Sequence, residues 1–132
     1  MKQIALLNKA AVLFILIFAN LSFADDYSLG KKIKSAYEAG NIEIAIEAAS
    51  QLENLSVKNL WVGRFRKYYF EKGDIDKAIA WNEKEMTPAV SNLWVGRFRK
   101  YYFDRGDIDK ATFWNEKESS PQVKSLWQSR LN

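Results

Sequence analysis

The sequence repeats itself at a fixed interval. Residues 59–85 read NLWVGRFRKYYFEKGDIDKAIAWNEKE, and residues 92–118, which lie 33 positions later, differ from them at only four of 27 positions. A diverged earlier copy is marked by residues that match the next copy at the same interval: Gly40, Ile42, Ala45 and Ile46. A period of this length is typical of helical hairpins that bury their apolar faces by stacking on one another. The repeat therefore favours a chain that binds a partner over one that performs chemistry.

The first 24 residues have the pattern of a secretory signal peptide. Lys2 and Lys9 supply positive charge, residues 10–19 (AAVLFILIFA) are apolar, and residues 22–24 form a small-x-small cleavage site. The uninterrupted apolar run is shorter than the roughly 20 residues that a spanning helix needs. We therefore expect cleavage after Ala24, export to the periplasm or beyond the cell, and no stable membrane span afterwards. An uncleaved anchor is the alternative.

The remaining composition excludes several functions. Residues 25–132 keep 18 of the 20 Lys and Arg residues, because Lys2 and Lys9 precede them, and all 16 Asp and Glu residues, so their net charge is +2. This small excess does not predict a nucleic-acid partner. The absence of Cys and His rules out thiol nucleophiles, Ser-His-Asp triads and Cys/His zinc sites. We expect no enzymatic activity, no catalytic residues and no cofactor.

Start and stop signals divide each repeat into two helices. Three good N-cap residues recur at one phase, and two of them precede proline: Asn54, Thr87 and Ser120, with Pro88 and Pro121. Gly73 and Gly106 supply the residue that ends a first helix in a left-handed conformation. Asp74 and Asp107 then cap the second helices, as Asn41 does after Gly40 in the diverged copy.

The aspartates at these turns also raise the question of a cation site. Asp76 and Asp109 place negative charge in the first turn of each second helix, which the helix dipole favours. No oxygen-rich loop of the length that calcium needs follows them. Capping accounts for the aspartates, so we expect no metal site.

These signals predict an all-α fold. The domain at residues 25–132 is a short α–α hairpin solenoid, with hairpins at about residues 25–53, 54–86 and 87–119 and a capping half-repeat at 120–132. The first helix carries its core stripe at Val57, Trp61, Phe65 and Tyr68, spaced by three or four residues. Tryptophans at this phase are expected in the core, with Trp81 and Trp114 as the more exposed exceptions.

The segment at residues 101–114, YYFDRGDIDKATFW, resembles the tetratricopeptide repeat around its central turn, and Sel-one-like repeats are similarly close. Tyr102 matches the aromatic residue of the first helix, Gly106 the turn glycine and Ala111 the small residue of the second helix. Tyr69, Gly73 and Ala78 match one repeat earlier. Arg66 and Glu85 depart from the family, which prefers small residues at both positions. The resemblance implies stacked hairpins that bind a protein or peptide.

The segment GRFRKYYF supplies the candidate binding residues. The side taken to lie opposite the core stripe carries two equivalent sets: Arg64, Arg66, Lys67 and Phe70, and then Arg97, Arg99, Lys100 and Phe103. Stacked repeats would align these sets as a basic and aromatic strip that suits a carboxylate-rich protein or peptide. By the resemblance, first helices line a concave face. A cationic binder of an anionic envelope polymer or lipid surface is the alternative function, and a merely solvated helix face is the simplest interpretation.

Overall fold

A computed structural model describes residues 25–132, and the predicted signal peptide lies outside this range. The described residues form seven helices and no strand, which confirms the all-α fold class. Helix α1 covers residues 25–38. It is followed by α2 (Ile42–Ser50), α3 (Leu55–Glu71), α4 (Ile75–Asn82), α5 (Pro88–Asp104), α6 (Ile108–Glu116) and α7 (Pro121–Leu131).

The helices begin where the sequence signals predict. Helices α3, α5 and α7 start at Leu55, Pro88 and Pro121, immediately after the three predicted caps. Asn54 accepts a hydrogen bond from the Val57 N–H at 3.1 Å, and the Ser120 hydroxyl accepts one from Val123. Thr87 makes no side-chain cap, and α5 begins at Pro88, whose fixed φ suits the first helical position.

A glycine forms the corner of each hairpin. Gly40, Gly73 and Gly106 have φ values of +79°, +79° and +75°, a left-handed conformation that side chains rarely adopt. Asp74 and Asp107 then accept hydrogen bonds from the backbone N–H groups of Lys77 and Lys110. Short second helices therefore follow the long first helices directly.

The described chain divides into two compact units, one ending at Lys58 and the other covering Asn59–Asn132. In the first unit, the buried side chains of α1 and α2 are small or aliphatic, with Ile33, Ala45 and Ala48 almost fully enclosed. Alanine lets two helices approach closely. The fully buried side chains described for α1 and α2 therefore include no aromatic ring.

The second unit has an aromatic core. Ile75, Ala78, Trp94, Val95 and Phe98 are buried together with Trp114. The Phe98 and Trp114 rings lie 4.8 Å apart, and the equivalent Phe65 and Trp81 rings 4.9 Å. The prediction that Trp61 and Trp94 belong to the core is confirmed. Trp81 is half-buried as expected, whereas Trp114 is buried and so is not an exception.

Successive first helices of the second unit are neighbours. The Phe70 ring of α3 lies 5.3 Å from that of Trp94 and 6.0 Å from that of Tyr101. One repeat later, the Phe103 ring of α5 lies 5.3 Å from that of Trp127. In the second unit, α3 and α5 therefore each pack on one side against their own hairpin and on another against the following long helix or α7.

This second contact corrects the predicted strip. The prediction that Arg66, Arg99, Phe70 and Phe103 lie on an exposed face opposite the core is wrong. Arg66 and Arg99 are only 3% and 4% exposed, and Phe70 packs against the aromatic core. The predicted core stripe marked only one of the two buried sides of the helix. Arg66 and Phe70 therefore lie on a second buried side of the helix, whereas Arg64 and Lys67 remain exposed.

We expect Gly106→Ala to lower the free energy of unfolding by about 1–2 kcal/mol, because it forces a side chain into the left-handed region. Urea unfolding followed by circular dichroism measures the change. Gly30→Ala is the matched control, since Gly30 lies in α1 with open space around it and alanine favours a helix there. Equal effects of both substitutions would contradict the role assigned to the corner.

Candidate functional site

Each complete repeat of the second unit buries one arginine in a set of polar side chains, which we call the polar clasp. In the first clasp, Arg66 Nη1 donates to Asn82 Oδ1 at 3.0 Å and to Glu85 Oε2 at 2.9 Å. Asn59 Nδ2 donates to the other carboxylate oxygen at 2.7 Å. The Arg66 guanidinium also lies 4.7 Å from the centre of the Trp94 ring. The clasp thus joins the two helices of one hairpin and contacts the next.

The second clasp repeats this geometry one period later. Arg99 Nη1 donates to Asn115 Oδ1 and to Glu118 Oε2, both at 3.1 Å. Asn92 Nδ2 donates to Glu118 Oε1 at 2.7 Å, and the Arg99 guanidinium lies 4.6 Å from the Trp127 ring centre. Arg66 and Glu85, which depart from the tetratricopeptide pattern, and their copies Arg99 and Glu118 are therefore paired with each other.

The clasp glutamates also hold the start of the following helix. Glu85 accepts a hydrogen bond from the Thr87 N–H at 3.0 Å, and Asn59 accepts one from the Met86 N–H at 2.9 Å. Glu118 and Asn92 do the same for Ser120 and Ser119. These backbone groups precede a helix and would otherwise lack partners. Each clasp therefore fixes the connection between two hairpins.

The environment of Glu85 and Glu118 favours their charged form. Burial raises the pKa of each carboxyl, but several hydrogen bonds lower it by more. For Glu85 these come from Asn59, the Thr87 N–H and Arg66, whose positive charge adds to the effect. The pKa of both carboxyls therefore lies below the usual 4.5. For Arg66 the order is reversed, since burial lowers its pKa more than Glu85 raises it.

The described part of the first unit, residues 25–58, meets the same requirement without a buried ion pair. Asp26 occupies the position of Asn59, and its two oxygens accept from the Glu53 and Asn54 N–H groups at 3.0 and 2.8 Å. The positions of Arg66, Asn82 and Glu85 hold apolar residues there, all buried: Ile33, Ala49 and Leu52. One carboxylate and a small apolar set thus replace the whole clasp.

The exposed side of the first helices, which we call the outer face, has a constant pattern. In α3 it consists of Leu60, Arg64, Lys67 and Glu71, and in α5 of Leu93, Arg97, Lys100 and Asp104, all exposed to solvent. Leu60 and Leu93 are 57% and 58% exposed. In α7, Leu126 and Arg130 continue the pattern. Ring contacts join α3 to α5 and α5 to α7, so the outer faces belong to successive neighbouring helices.

Ionic and ring contacts order the charged groups of the outer face. Lys67 lies 3.6 Å from Glu71, and Lys100 lies 2.6 Å from Asp104. The Arg64 and Arg97 guanidinium groups lie 4.9 and 4.6 Å from the rings of Trp61 and Trp94. Each repeat therefore presents a leucine, a ring-stacked arginine and a lysine paired with a carboxylate.

Four of the eight predicted binding residues share this surface: Arg64, Lys67, Arg97 and Lys100. Phe70 and Phe103 belong to the packing between first helices instead, and Arg66 and Arg99 belong to the clasps. Leu60 and Leu93 were missed. Each leucine precedes the exposed arginine of its copy by four residues and the exposed lysine by seven. This helical spacing places the leucine on the same side of the helix and could have identified it.

Comparison with known proteins gives no match among family models, curated proteins or solved structures. The resemblance to tetratricopeptide and Sel-one-like repeats stays a prediction. Within residues 25–132, no helix is both long and apolar enough to cross a bilayer.

We expect Arg99→Met to lower the free energy of unfolding by about 3–5 kcal/mol, because it leaves the buried Glu118 charge without its partner. The fourfold variant Asn92→Asp, Arg99→Ile, Asn115→Ala, Glu118→Leu copies the first unit, and its stability should equal or exceed that of the wild type. Urea unfolding of both variants is the measurement. A fourfold variant as unstable as the single one would show that the clasp cannot be replaced as a unit.

The clasps also predict how stability depends on pH. The folded pKa of Glu85 and of Glu118 is depressed, so each contributes stability above its unfolded pKa and loses it as pH falls through the lower, folded pKa. We expect urea midpoints to fall as the pH drops below about 4.5. The fourfold variant, which lacks one of the two glutamates, should show a shallower fall, and an identical pH profile would refute this assignment.

Proposed function

We propose that this chain is an exported binding module whose outer face holds an acidic segment of another protein. The observation that carries the proposal is the retention of exposed residues in the diverged first copy. Lys34 and Glu38 are identical to Lys67 and Glu71, and Lys31 replaces Arg64 conservatively. Surface positions away from specific contacts tolerate most substitutions, so packing does not explain this retention.

The buried positions of the same helices changed instead. Trp61, Val62 and Phe65 correspond to Ser28, Leu29 and Lys32 in the first copy. The first copy therefore keeps the two cations and the following acidic residue of the exposed side, although it lacks the aromatic core residues of the second copy. Lys34 also keeps its pairing, since it lies 3.7 Å from Glu38. A selective requirement on the surface itself accounts for both observations.

The chemistry of the outer face suits a protein segment with carboxylates and apolar side chains. Arg64 and Arg97 offer planar donor groups that match a carboxylate, and Leu60 and Leu93 offer apolar contact. Lys67 and Lys100 are each paired with a carboxylate, so each repeat of the outer face has a net charge of about +1. This charge is well below that of the predicted strip, because Arg66 and Arg99 are buried. This modest charge favours a mixed protein surface over a uniformly anionic polymer or lipid.

In the first unit, the equivalent face borders a groove of about 400 Å³ lined by Tyr27, Gly30, Lys31 and Lys34 together with Asp26, Asn54 and Val57. Tyr27 is exposed and Lys31 lies 4.5 Å from its ring centre. The same combination of an apolar side chain and two cations therefore occurs in both units. This agreement supports a binding role for the face and not only for one repeat.

We also propose a role and a location for the chain. By its resemblance to tetratricopeptide and Sel-one-like repeats, the chain would act as an adaptor and not as an enzyme. The signal-peptide pattern at residues 1–24 would place the chain in the periplasm or outside the cell. The alternative function there is attachment of the cationic outer face to an anionic envelope polymer or lipid surface.

A fourfold charge reversal tests the outer face: Arg64→Glu, Lys67→Glu, Arg97→Glu and Lys100→Glu. The probe is a short fluorescein-labelled peptide of repeated Ser-Glu-Leu, with fluorescence anisotropy as the measurement. We expect the affinity to fall on the order of 100-fold, because four exposed charge pairs are lost and replaced by repulsion.

The control variant instead reverses four exposed charges in or just after the second helices: Lys77, Lys84, Lys110 and Lys117, each to Glu. It changes the net charge equally and should change the affinity only a few-fold. Two results together would favour the polymer or lipid function. Both variants would lose peptide affinity equally, and the protein would bind phosphatidylglycerol vesicles only at salt concentrations where the Debye length exceeds about 8 Å. Unchanged peptide binding by the outer-face variant would refute the proposal.

A further inference from the structure

In each clasp arginine, two guanidinium nitrogens, Nε and Nη2, have no hydrogen-bond partner among the described residues. Nη1 of Arg66 makes both hydrogen bonds of this side chain, and Nη2 makes none with the residues that the structure describes. Arg99 is arranged identically. Among described side-chain atoms, only the Nε atoms of the two arginines are both fully enclosed and unpartnered. Nη2 therefore retains contact with solvent although the residue is over nine-tenths buried.

A glycine lies directly above each of these nitrogens. A methyl group at Gly63 would lie 3.4 Å from Arg66 Nη2, and one at Gly96 would lie 3.4 Å from Arg99 Nη2. Neither glycine has a positive φ, so the backbone does not require glycine at these helix-interior positions, where it destabilises the helix relative to alanine. What glycine provides there is an opening above Nη2.

These openings lie beside the outer face. Gly63 is three residues after Leu60 and four before Lys67, and residues at these spacings are neighbours on a helix surface. Glu85 and Asn82 hold the guanidinium by Nη1, so the direction of Nη2 is fixed before any ligand arrives. A fixed donor loses little freedom on binding, which favours affinity.

We propose that Arg66 Nη2 and Arg99 Nη2 each donate a hydrogen bond, through the openings at Gly63 and Gly96, to a carboxylate oxygen of the bound acidic segment. This inference rests on the proposed function and identifies how the outer face recognises its partner. Arg64 and Lys67 flank one opening, and Arg97 and Lys100 flank the other, so a carboxylate placed there meets positive charge on the surface and a fixed donor below it.

The spacing of the openings adds a requirement on the partner. Packed helices lie about 8–10 Å apart, and a segment in the polyproline II conformation advances about 3.1 Å per residue and places every third side chain on one face. An extended segment that crosses α3 and α5 therefore presents acidic residues to both openings when they are about three residues apart. The Ser-Glu-Leu repeat has this spacing, with an apolar residue next to each carboxylate.

The double variant Gly63→Ala, Gly96→Ala tests the proposal, because each methyl group covers one Nη2 without changing charge. We expect the affinity for the labelled Ser-Glu-Leu peptide to fall by about tenfold per site, as for the loss of a hydrogen bond to a charged group. The thermal midpoint should rise or stay unchanged, since alanine favours the helix. Lower affinity in a protein of equal or greater stability is a result that mere structural damage does not give.

Gly30→Ala is the matched control. Gly30 occupies the same helix position, but Ile33 replaces the arginine there and nothing lies within 4 Å of an added methyl group. We expect a stability gain and a much smaller loss of affinity than at Gly63 and Gly96, because Gly30 borders the first-unit groove but has no buried donor beneath it. If Gly30→Ala weakens binding as much as the other two changes, the glycines act through surface shape and the donor role of Nη2 is refuted.

The remaining outcomes separate this inference from the proposed function. If the wild type binds the peptide, the outer-face charge reversal abolishes binding and the Gly63/Gly96 variant binds normally, only the Nη2 contact is refuted. If the wild type does not bind the peptide, both proposals fail together. In the fourfold clasp variant, which lacks Arg99, Gly96→Ala should have no further effect on affinity, and an undiminished effect would also overturn the inference.

Discussion

The buried pairing of Arg66 with Glu85, and of Arg99 with Glu118, is the interaction on which the rest of the second unit depends. Each pair joins the two helices of a hairpin, and the glutamate of each pair also holds the N–H group before the next helix. Removing a charge from water costs several kcal/mol, so one partner is tolerated only when the other is present. The register of each hairpin is therefore tied to the start of the following one.

The first unit shows that this solution is not required by the fold. Asp26 holds the equivalent backbone groups, and Ile33, Ala49 and Leu52 fill the space of the arginine, asparagine and glutamate. An apolar set of suitable volume is commonly as stable as a buried ion pair. The second and third copies thus keep the polar clasp although stability alone does not require it. The proposed binding of a carboxylate through the openings at Gly63 and Gly96 would explain why the clasp is kept.

The corners, helix starts and main core positions could be predicted from the sequence, because each rests on local chemistry, but the predicted caps Asn41 and Thr87 make no side-chain hydrogen bond. Glycine is the residue that adopts the positive φ at Gly73 and Gly106, and aspartate accepts hydrogen bonds from free N–H groups immediately after it. The site was only half predictable. Arg64 and Lys67 lie on the exposed side as expected, but Arg66 and Phe70 do not, because helical periodicity locates an apolar stripe and cannot show that a second neighbour covers an adjacent side.

The sequence by itself determined the helical period, the two-helix form of each repeat and the glycine corners, since these depend on residues close together in the chain. Only the tertiary structure decided which cations face solvent. Arg64 and Arg66 are two residues apart in the same helix. Arg64 is exposed and stacks on the Trp61 ring, whereas Arg66 pairs with a glutamate 19 residues away. The burial of a charge depends on a partner brought near by folding, and that partner's position is a property of packing and not of periodicity.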